Sequence, residues 1–571
     1  MSVTMPDKCR NSKAYRAISP YCCPDLSGAV SISGLTVNQP PHGFEGSSPS
    51  FPTSFIDDLS DFFALVRHLY QALWNGPHVR AAEKFERRHS ANSLFGMAVS
   101  AFFLLWMLNF CLSNPSVDIH FDLGEASVWA EQFAFGYKHP PMTAWLFILW
   151  FSVFPRADWA AYLLAVTTVT VTFAITWRLL RDYLQKESAL TGIAALMVVP
   201  LFTFLASRLN ANTVMMPFWA AAQLFYLRAR RDLGIADAIL AGAFVGLTFL
   251  GKYWAIYLAV GMAITSLIGS GTRSFWRSPV PYLMGLSASL VVAPHVYWFV
   301  TDRSQATQDF MEASVLVAQP FGTALIGSIS YLAGSVAYIA VPLLYLIILR
   351  PTRAAVADIL WPADRDRQQA HLLFLLPLVL PALANMVFPH RLTPLWTFPN
   401  WALLPVVLFG SPLITVHPVG AARAGLVALS VSAAAVLAAP YVAHLRVTSN
   451  AELHERHYRH VAEEVLRLSN SDQSIAGTRE IVQGLFFYLP EARPIALPSS
   501  TDSTALAAVR ANDMVIICSA ADETCRSGSI AIEGPSAGST NVTFRRSFLG
   551  FTSPPATYRF TVIRRQGPTG R

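Results

Sequence analysis

Residues 136–155 read Gly-Tyr-Lys-His-Pro-Pro-Met-Thr-Ala-Trp-Leu-Phe-Ile-Leu-Trp-Phe-Ser-Val-Phe-Pro. The apolar run at 142–155 is about 14 residues long and is bounded by Pro140-Pro141 and Pro155. A helix that crosses a bilayer needs about 20 apolar residues. The run therefore predicts a short helix at the membrane boundary and not a span. Every later segment changes sides with that reading.

Working outward, apolar segments at 93–112, 159–177, 189–206, 213–228, 236–250, 253–268, 279–300, 325–349, 371–388, 397–414 and 424–443 predict eleven spans. With 142–155 on the outer face, the loops 178–187, 228–235, 269–278, 350–370 and 415–423 become cytoplasmic and carry 13 Lys and Arg. The opposite segments 113–157, 207–212, 251–252, 301–324 and 389–396 carry 6. Lys84, Arg87 and Arg88 precede the first span. The positive-inside rule puts the N-terminus in the cytoplasm.

Composition agrees with a membrane protein. Of 571 residues, 53% are hydrophobic and 13% charged, with a mean hydropathy of +0.41. Soluble domains carry about 25% charged residues, which excludes an ordinary soluble enzyme. The net charge of +7 fits loops facing anionic lipid. No basic stripe with interleaved aromatics points to nucleic acid. The six cysteines, Cys9, Cys22, Cys23, Cys111, Cys518 and Cys525, form no metal-type spacing. Residues 1–30 lack a continuous apolar core, so no signal peptide is expected there.

The expected organisation has four parts. Residues 1–53, rich in Ser, Pro and Gly, predict a disordered cytoplasmic tail. Residues 54–92 predict a linker and an amphipathic helix, lying on the membrane or packed on another cytoplasmic part. Residues 93–443 form the transmembrane domain, with an outer loop at 113–157. Residues 444–571 turn polar and predict a small periplasmic α/β domain. Its predicted elements are a helix over 451–468 and β runs at 514–518, 529–532 and 558–563. Cys518 and Cys525 flank a predicted turn there. They pair in an oxidising compartment, with buried free thiols as the alternative. The fold class is an all-α polytopic membrane protein with this added domain.

Chemistry concentrates in the outer loop, which runs Asp118-Ile-His120-Phe-Asp122-Leu-Gly-Glu125 and later Tyr137-Lys138-His139-Pro140-Pro141. Asp122 and Glu125 share one face if a helix starts there, with Asp122 near its N-cap. A solvated loop with capping acids and interfacial aromatics is the bland alternative.

The loop resembles the signature of the GT-C glycosyltransferases, in particular the protein O-mannosyltransferases and bacterial aminoarabinose–lipid A transferases. The residues that carry the resemblance are the acids after the first span and Gly136-Tyr137-Lys138-His139-Pro140-Pro141-Met142-Thr143-Ala144-Trp145-Leu146. The Lys-His-Pro-Pro version is similar to an alphaproteobacterial branch that includes lipopolysaccharide galacturonosyl transferases. Weaker echoes across 90–445 are Arg208-Leu-Asn210-Ala-Asn212-Thr213, Leu250-Gly251-Lys252-Tyr253, Pro294-His295 and Trp396-Thr-Phe-Pro399-Asn400-Trp401. The family places its His-Pro-Pro stretch in an outer-face juxtamembrane helix, as the charges do here.

The chain also departs from that pattern. Gly124 stands before Glu125 where many relatives have adjacent Asp-Glu, Lys138 replaces an acid, and Asn212 replaces an Asp. Fewer acids argue against a catalytic divalent metal, which stays the open alternative, and no cofactor is firmly implied.

The resemblance implies sugar transfer from a polyprenyl-phosphate sugar to lipid A, lipopolysaccharide core or protein at the outer face of the bacterial inner membrane. Asp122 is the expected general base, with a helix cap as its structural alternative. Glu125 is expected beside it, in an orienting or structural role. Lys138, His139, Tyr137, Arg208, Asn212, His295 and Arg303 are expected to bind substrate, the cations meeting the lipid phosphate. Simple snorkelling to the interface is the alternative for these cations. Asp302, Gln305 and Asp309 share a loop with Arg303, and His390-Arg391 is a weaker candidate. Lys252 faces either the cavity or the headgroups. The rival readings are a secondary transporter or lipid flippase, which lacks an internal repeat here, and a scaffold, which leaves the Lys-His-Pro-Pro stretch unexplained.

Overall fold

The computed structural model describes residues 76–131, 133–137, 139–269, 271–301, 319–390, 392–448, 457–469, 474–497, 513–532 and 538–564. The expected tail 1–53, the amphipathic stretch up to 75, Lys138, Asp302, Arg303, Gln305, Asp309 and Arg391 lie outside the described residues.

The described residues open on α1 (Pro77–Arg88) and α2 (Ala91–Ser113), followed by α3 (Phe121–Trp129) and α4 (Met142–Phe151). The bundle continues with α5 (Asp158–Tyr183), α6 (Lys186–Leu196), α7 (Ala211–Asp232), α8 (Ile235–Gly251) and α9 (Ile256–Leu267). Next come α10 (Thr272–Arg277), α11 (Val280–Thr301), α12 (Phe321–Tyr338), α13 (Ala340–Ile348) and α14 (Arg353–Leu360). It closes with α15 (Arg365–Val387), α16 (Leu404–Phe409) and α17 (Pro418–Thr448).

Among the described residues, six helices (α2, α5, α11, α12, α15 and α17) are long and apolar enough to cross a membrane. The protein is a multi-pass membrane protein. Shorter apolar helical segments cover 142–151, 235–251, 253–267 and 394–409. Helix α4 has 10 residues, so it rises about 15 Å, half the hydrocarbon thickness.

Four of the eleven predicted spans are not continuous α-helices, the one at 253–268 because it opens on a 3-10 turn, Tyr253–Ala255. The segment expected at 189–206 stops at Leu196, and Pro200 starts 3-10 turns that run to Arg208. The segment expected at 325–349 breaks at Ile339, ahead of Pro342. The segment at 397–414 begins as a 3-10 helix from Pro394 to Leu403 and turns α-helical at Leu404. Proline removes an amide donor and clashes with the preceding turn, which hydropathy alone does not register. Helix α17 also runs to Thr448, past the boundary expected at 443.

The polar C-terminal part is an α/β unit. It comprises α18 (Tyr458–Leu468), β1 (Ser474–Gly477), α19 (Arg479–Tyr488), β2 (Arg493–Ala496), β3 (Met514–Ser519) and α20 (Glu523–Ile532). Strands β4 (Gly538–Phe544), β5 (Ser547–Phe548), β6 (Phe551–Thr552) and β7 (Ala556–Ile563) complete it. The main sheet has the order β2-β1-β3-β7-β4, parallel through β2-β1-β3 and antiparallel through β3-β7-β4.

The run Met-Val-Ile-Ile-Cys reads as a buried central strand because β3 is covered on both faces. Met514, Ile516 and Cys518 pack with Ala476 and Cys525 on one side, while Val515 and Ile517 join the core shared with α18 and α19. Residues 529–532, expected as a strand, form the end of α20. That helix starts where the Asp522 side chain accepts from the Cys525 N–H, and Cys525 is bonded to Cys518 of β3.

Candidate active site

Helix α3 presents the two acids. His120 is its N-cap, and its Nδ1 accepts from the Asp122 N–H at 3.2 Å. Asp122 occupies the first turn, where the helix dipole favours a carboxylate. The two acids differ in access: the Asp122 side chain is 35% exposed, whereas Glu125, one turn on, is buried at 6%. A base must reach an acceptor hydroxyl, so this difference separates the pair.

Asp122 is held from across the bundle. Asn210 Nδ2 donates to Asp122 Oδ2 at 3.1 Å, and Asn210 Oδ1 caps α7 by accepting from the Asn212 and Thr213 N–H groups. The preceding Leu209 sits at φ 22°, in the left-handed half of backbone space, while fully buried. A branched residue there is strained, and the bend turns the chain from the 3-10 segment into α7. Arg208 ends that 3-10 segment on the exposed surface.

Asn212 continues the polar path. Its Oδ1 accepts from Lys252 Nζ at 3.1 Å, and the ammonium lies 4.3 Å from the centre of the Trp396 ring. Helix α8 ends because Lys252 adopts extended backbone angles (φ −164°, ψ 142°), and a 3-10 turn at Tyr253–Ala255 follows. Lys252 therefore faces the polar site and not simply the headgroups.

The second half of the loop packs around aromatic rings. Tyr137 stacks on Trp129 of α3, and His139 meets the same indole edge-on. The Tyr137 hydroxyl accepts from the Ala134 N–H, and burial pushes its pKa up, so it stays protonated. Trp145 Nε1 donates to the Ala134 carbonyl at 2.8 Å. Gly136 lies flat on Trp298 of α11: a Cβ there would fall 2.1 Å from the ring.

His295, expected at the phosphate, is instead buried with both ring nitrogens used inside the protein. Its Nδ1 pairs with the Phe135 carbonyl at 2.7 Å and its Nε2 with the Tyr253 hydroxyl at 3.2 Å. The acceptor carbonyl puts the proton on Nδ1, leaving Nε2 to accept from Tyr253. His295 thus ties the loop to α11. His390 Nδ1 is likewise turned to a backbone carbonyl, that of Phe388.

The structure therefore joins Asp122, Asn210, Asn212, Lys252 and Trp396 in one path, with Tyr137 and His139 on α3's aromatic flank. Sequence reasoning missed Asn210 and left Lys252 open. Both lay in quoted echoes directly before or after a predicted span, where a polar residue is costly unless it is used. Among the described residues, no group of three or more His, Cys, Asp or Glu side chains is placed to hold a metal ion.

Residues 138–298 match the family described as dolichyl-phosphate-mannose-protein mannosyltransferase. Two solved structures of ArnT from Cupriavidus metallidurans, one bound to undecaprenyl phosphate and one apo, superpose over 82% of this chain and 98% of theirs. The TM-score is 0.54 for each, at 11% and 12% identity. The fold is GT-C. Within GT-C proteins, the chain is similar to the lipid A galacturonosyltransferase RgtD of Rhizobium johnstonii, at 26% identity over 227 residues. That match spans 36% of this chain and 43% of the relative, less than half its length.

Proposed function

We propose that this protein is a glycosyltransferase that moves a sugar from a polyprenyl-phosphate donor to lipid A or lipopolysaccharide core, with inversion at the anomeric carbon. The reading puts the reaction at the outer face of the inner membrane, with the N-terminus cytoplasmic and residues 444–571 periplasmic. One observation carries it. A partly exposed carboxylate, Asp122, is held by Asn210, whose amide oxygen caps the helix start bearing Asn212, the residue that accepts from the Lys252 ammonium.

Asp122 accepts the proton of the acceptor hydroxyl as its oxygen attacks the anomeric carbon. The bond from that carbon to the phosphate oxygen breaks, and the polyprenyl phosphate leaves with the electron pair. Negative charge grows on that phosphate, so preset cations lower the barrier most. Lys252, joined to the base through Asn212 and Asn210, is the cation proposed to meet that charge, and Lys138, His139, Arg208 and Arg303 are proposed to complete the phosphate and sugar contacts. Glu125 supports α3 from inside. Trp396 offers an aromatic face beside Lys252.

The test is mass spectrometry of lipid A and core oligosaccharide from cells with the wild-type protein, with Asp122→Asn, or with none. Loss of one sugar-sized mass in both the variant and the null, at normal protein abundance, supports transferase and base together. Unchanged glycolipids in the null exclude these acceptors. Loss in the null alone removes Asp122 from the role of base.

A further inference from the structure

The outer loop carries a third acid that the proposed reaction does not use. Asp118 lies two residues before the N-cap of α3, and its side chain is completely buried. Arg546, from the C-terminal unit, donates Nη2 to Asp118 Oδ1 at 2.7 Å, and its own side chain is 8% exposed. The Arg459 N–H donates to Asp118 Oδ2 at 2.9 Å. The Ile119 N–H donates to the Tyr488 hydroxyl at 3.1 Å, and that hydroxyl donates to Asp158 Oδ1 at 2.9 Å. Burial pushes the Tyr488 hydroxyl well above its ordinary pKa, so it remains a donor. Asp158 starts α5, and its second oxygen takes Arg459 Nη2 at 2.5 Å.

The same unit also seats the body of α3. A Cβ at Gly124 would lie 2.9 Å from the Gln483 carbonyl oxygen and 2.9 Å from the Gly484 nitrogen, both backbone atoms of α19. No side chain fits there. Gly124 is the residue at which the chain departs from adjacent Asp-Glu, and the departure now has a physical cause: α19 occupies the space. Helix α3 is thus gripped at its entry by Asp118 and Ile119 and on its first turn by Gly124. Asp122 lies between these two grips.

We propose that Asp118 is a positioning residue, through which Arg546 and Arg459 of the C-terminal unit hold helix α3, and with it Asp122, in reacting geometry. The proposal rests on the transferase reading for its kinetic consequence and on geometry alone for the grip. Asp118, completely buried and paired with Arg546, acts through the helix start. Removing its charge leaves the Arg546 guanidinium buried without its counter-charge, and the entry to α3 loosens. A displacement of about 1 Å at a reacting group costs about 100-fold in rate.

The experiment uses the full-length protein in detergent or nanodiscs and three variants: Asp118→Asn, Gly124→Ala and the pair Asp118→Asn with Arg546→Gln. Amide hydrogen exchange and steady-state kinetics on a polyprenyl-phosphate sugar are measured for each. Asp118→Asn and Gly124→Ala are expected to speed exchange over 120–126 by about tenfold, while 514–519 and the spanning helices keep their protection. Both are expected to lower kcat by about 10- to 100-fold at a donor KM within about threefold of wild type. The paired variant removes both buried charges and is expected to regain most of kcat.

Unchanged exchange over 120–126 overturns the grip. Loss of protection across 514–519 as well overturns it too, since the acid then serves the C-terminal fold generally. Faster exchange with unchanged kcat overturns the positioning role. Should the wild type transfer no sugar, the transferase reading falls, and the exchange result decides the grip by itself.

Discussion

Asn210 donates to Asp122 across the bundle, Nδ2 to Oδ2 at 3.1 Å, and with its other amide atom caps the helix that carries Asn212. One side chain thus sets the direction of the proposed base and the start of α7. Replacing it by Asp keeps the capping oxygen and turns the donor into a second carboxylate. It also removes the hydrogen bond that Asn210 gives Asp122 and sets a like charge against it. Asn210→Asp is expected to lower kcat by about 10- to 100-fold at a donor KM near that of wild type. Unchanged kcat separates Asn210 from the aim of Asp122.

Lys252 is bracketed by Asn212 and the Trp396 ring. A hydrogen bond to a charged group contributes about 1.5–3 kcal/mol. Lys252→Gln is therefore expected to lower kcat/KM for the polyprenyl-phosphate sugar by about 10- to 100-fold. Lys252→Arg should retain part of it, because the charge remains while the shape changes. Equal activity of the Gln variant removes Lys252 from the phosphate.

Gly136 has no room for a side chain, since a Cβ would meet Trp298 Cε3 at 2.1 Å. Gly136→Ala must push the loop off α11, costing about 1–3 kcal/mol. It also disturbs the pairing of His295 with the neighbouring Phe135 carbonyl. Transfer is expected to collapse while the helical circular dichroism stays at the wild-type level. Full activity in this variant contradicts the flat contact.

His460 stacks on Phe544 at 5.8 Å in the C-terminal unit. Burial is the chief cause that lowers its pKa; Arg546 and Arg459 lower it further, while Asp118 and Glu463 oppose them. The folded pKa lies below the ordinary 6.5, so the unfolded chain takes up the proton first. The stability contribution is whole above about pH 6.5 and falls as pH drops through the depressed folded value. Protection of 514–519 against hydrogen exchange is expected to weaken between about pH 7 and about pH 5, and less so in His460→Gln. An equal decline in both proteins assigns the effect to other groups.

That 142–155 holds a short helix was legible because the apolar run is too short to span and Pro140, Pro141 and Pro155 bound it. The same hydropathy reading made continuous spans of 189–206, 325–349 and 397–414, because it weighs apolar content and not the donors that proline removes. The strand expected at 529–532 failed for a related reason. Its few apolar residues suit either period, and the Asp522 cap with the Cys518–Cys525 bond selects a helix.

Within the site, Asp122 stood out as an acid beside a predicted helix start. His295 stood out as well, yet its nitrogens turn inward, because a ring's partners depend on residues such as Phe135 that lie 160 positions away.

The sequence by itself determined the membrane class, the acid-bearing loop and the resemblance that points to GT-C. These follow from composition, segment length and local spacing, each a property of neighbours in the chain. Only the tertiary structure decided that Asn210 aims Asp122, that Lys252 reaches Asn212, and that Asp118 belongs to the C-terminal unit through Arg546. Those pairs lie 88, 40 and 428 residues apart. A buried charge or amide takes whichever partner packing brings within about 3 Å, and local sequence does not encode that choice.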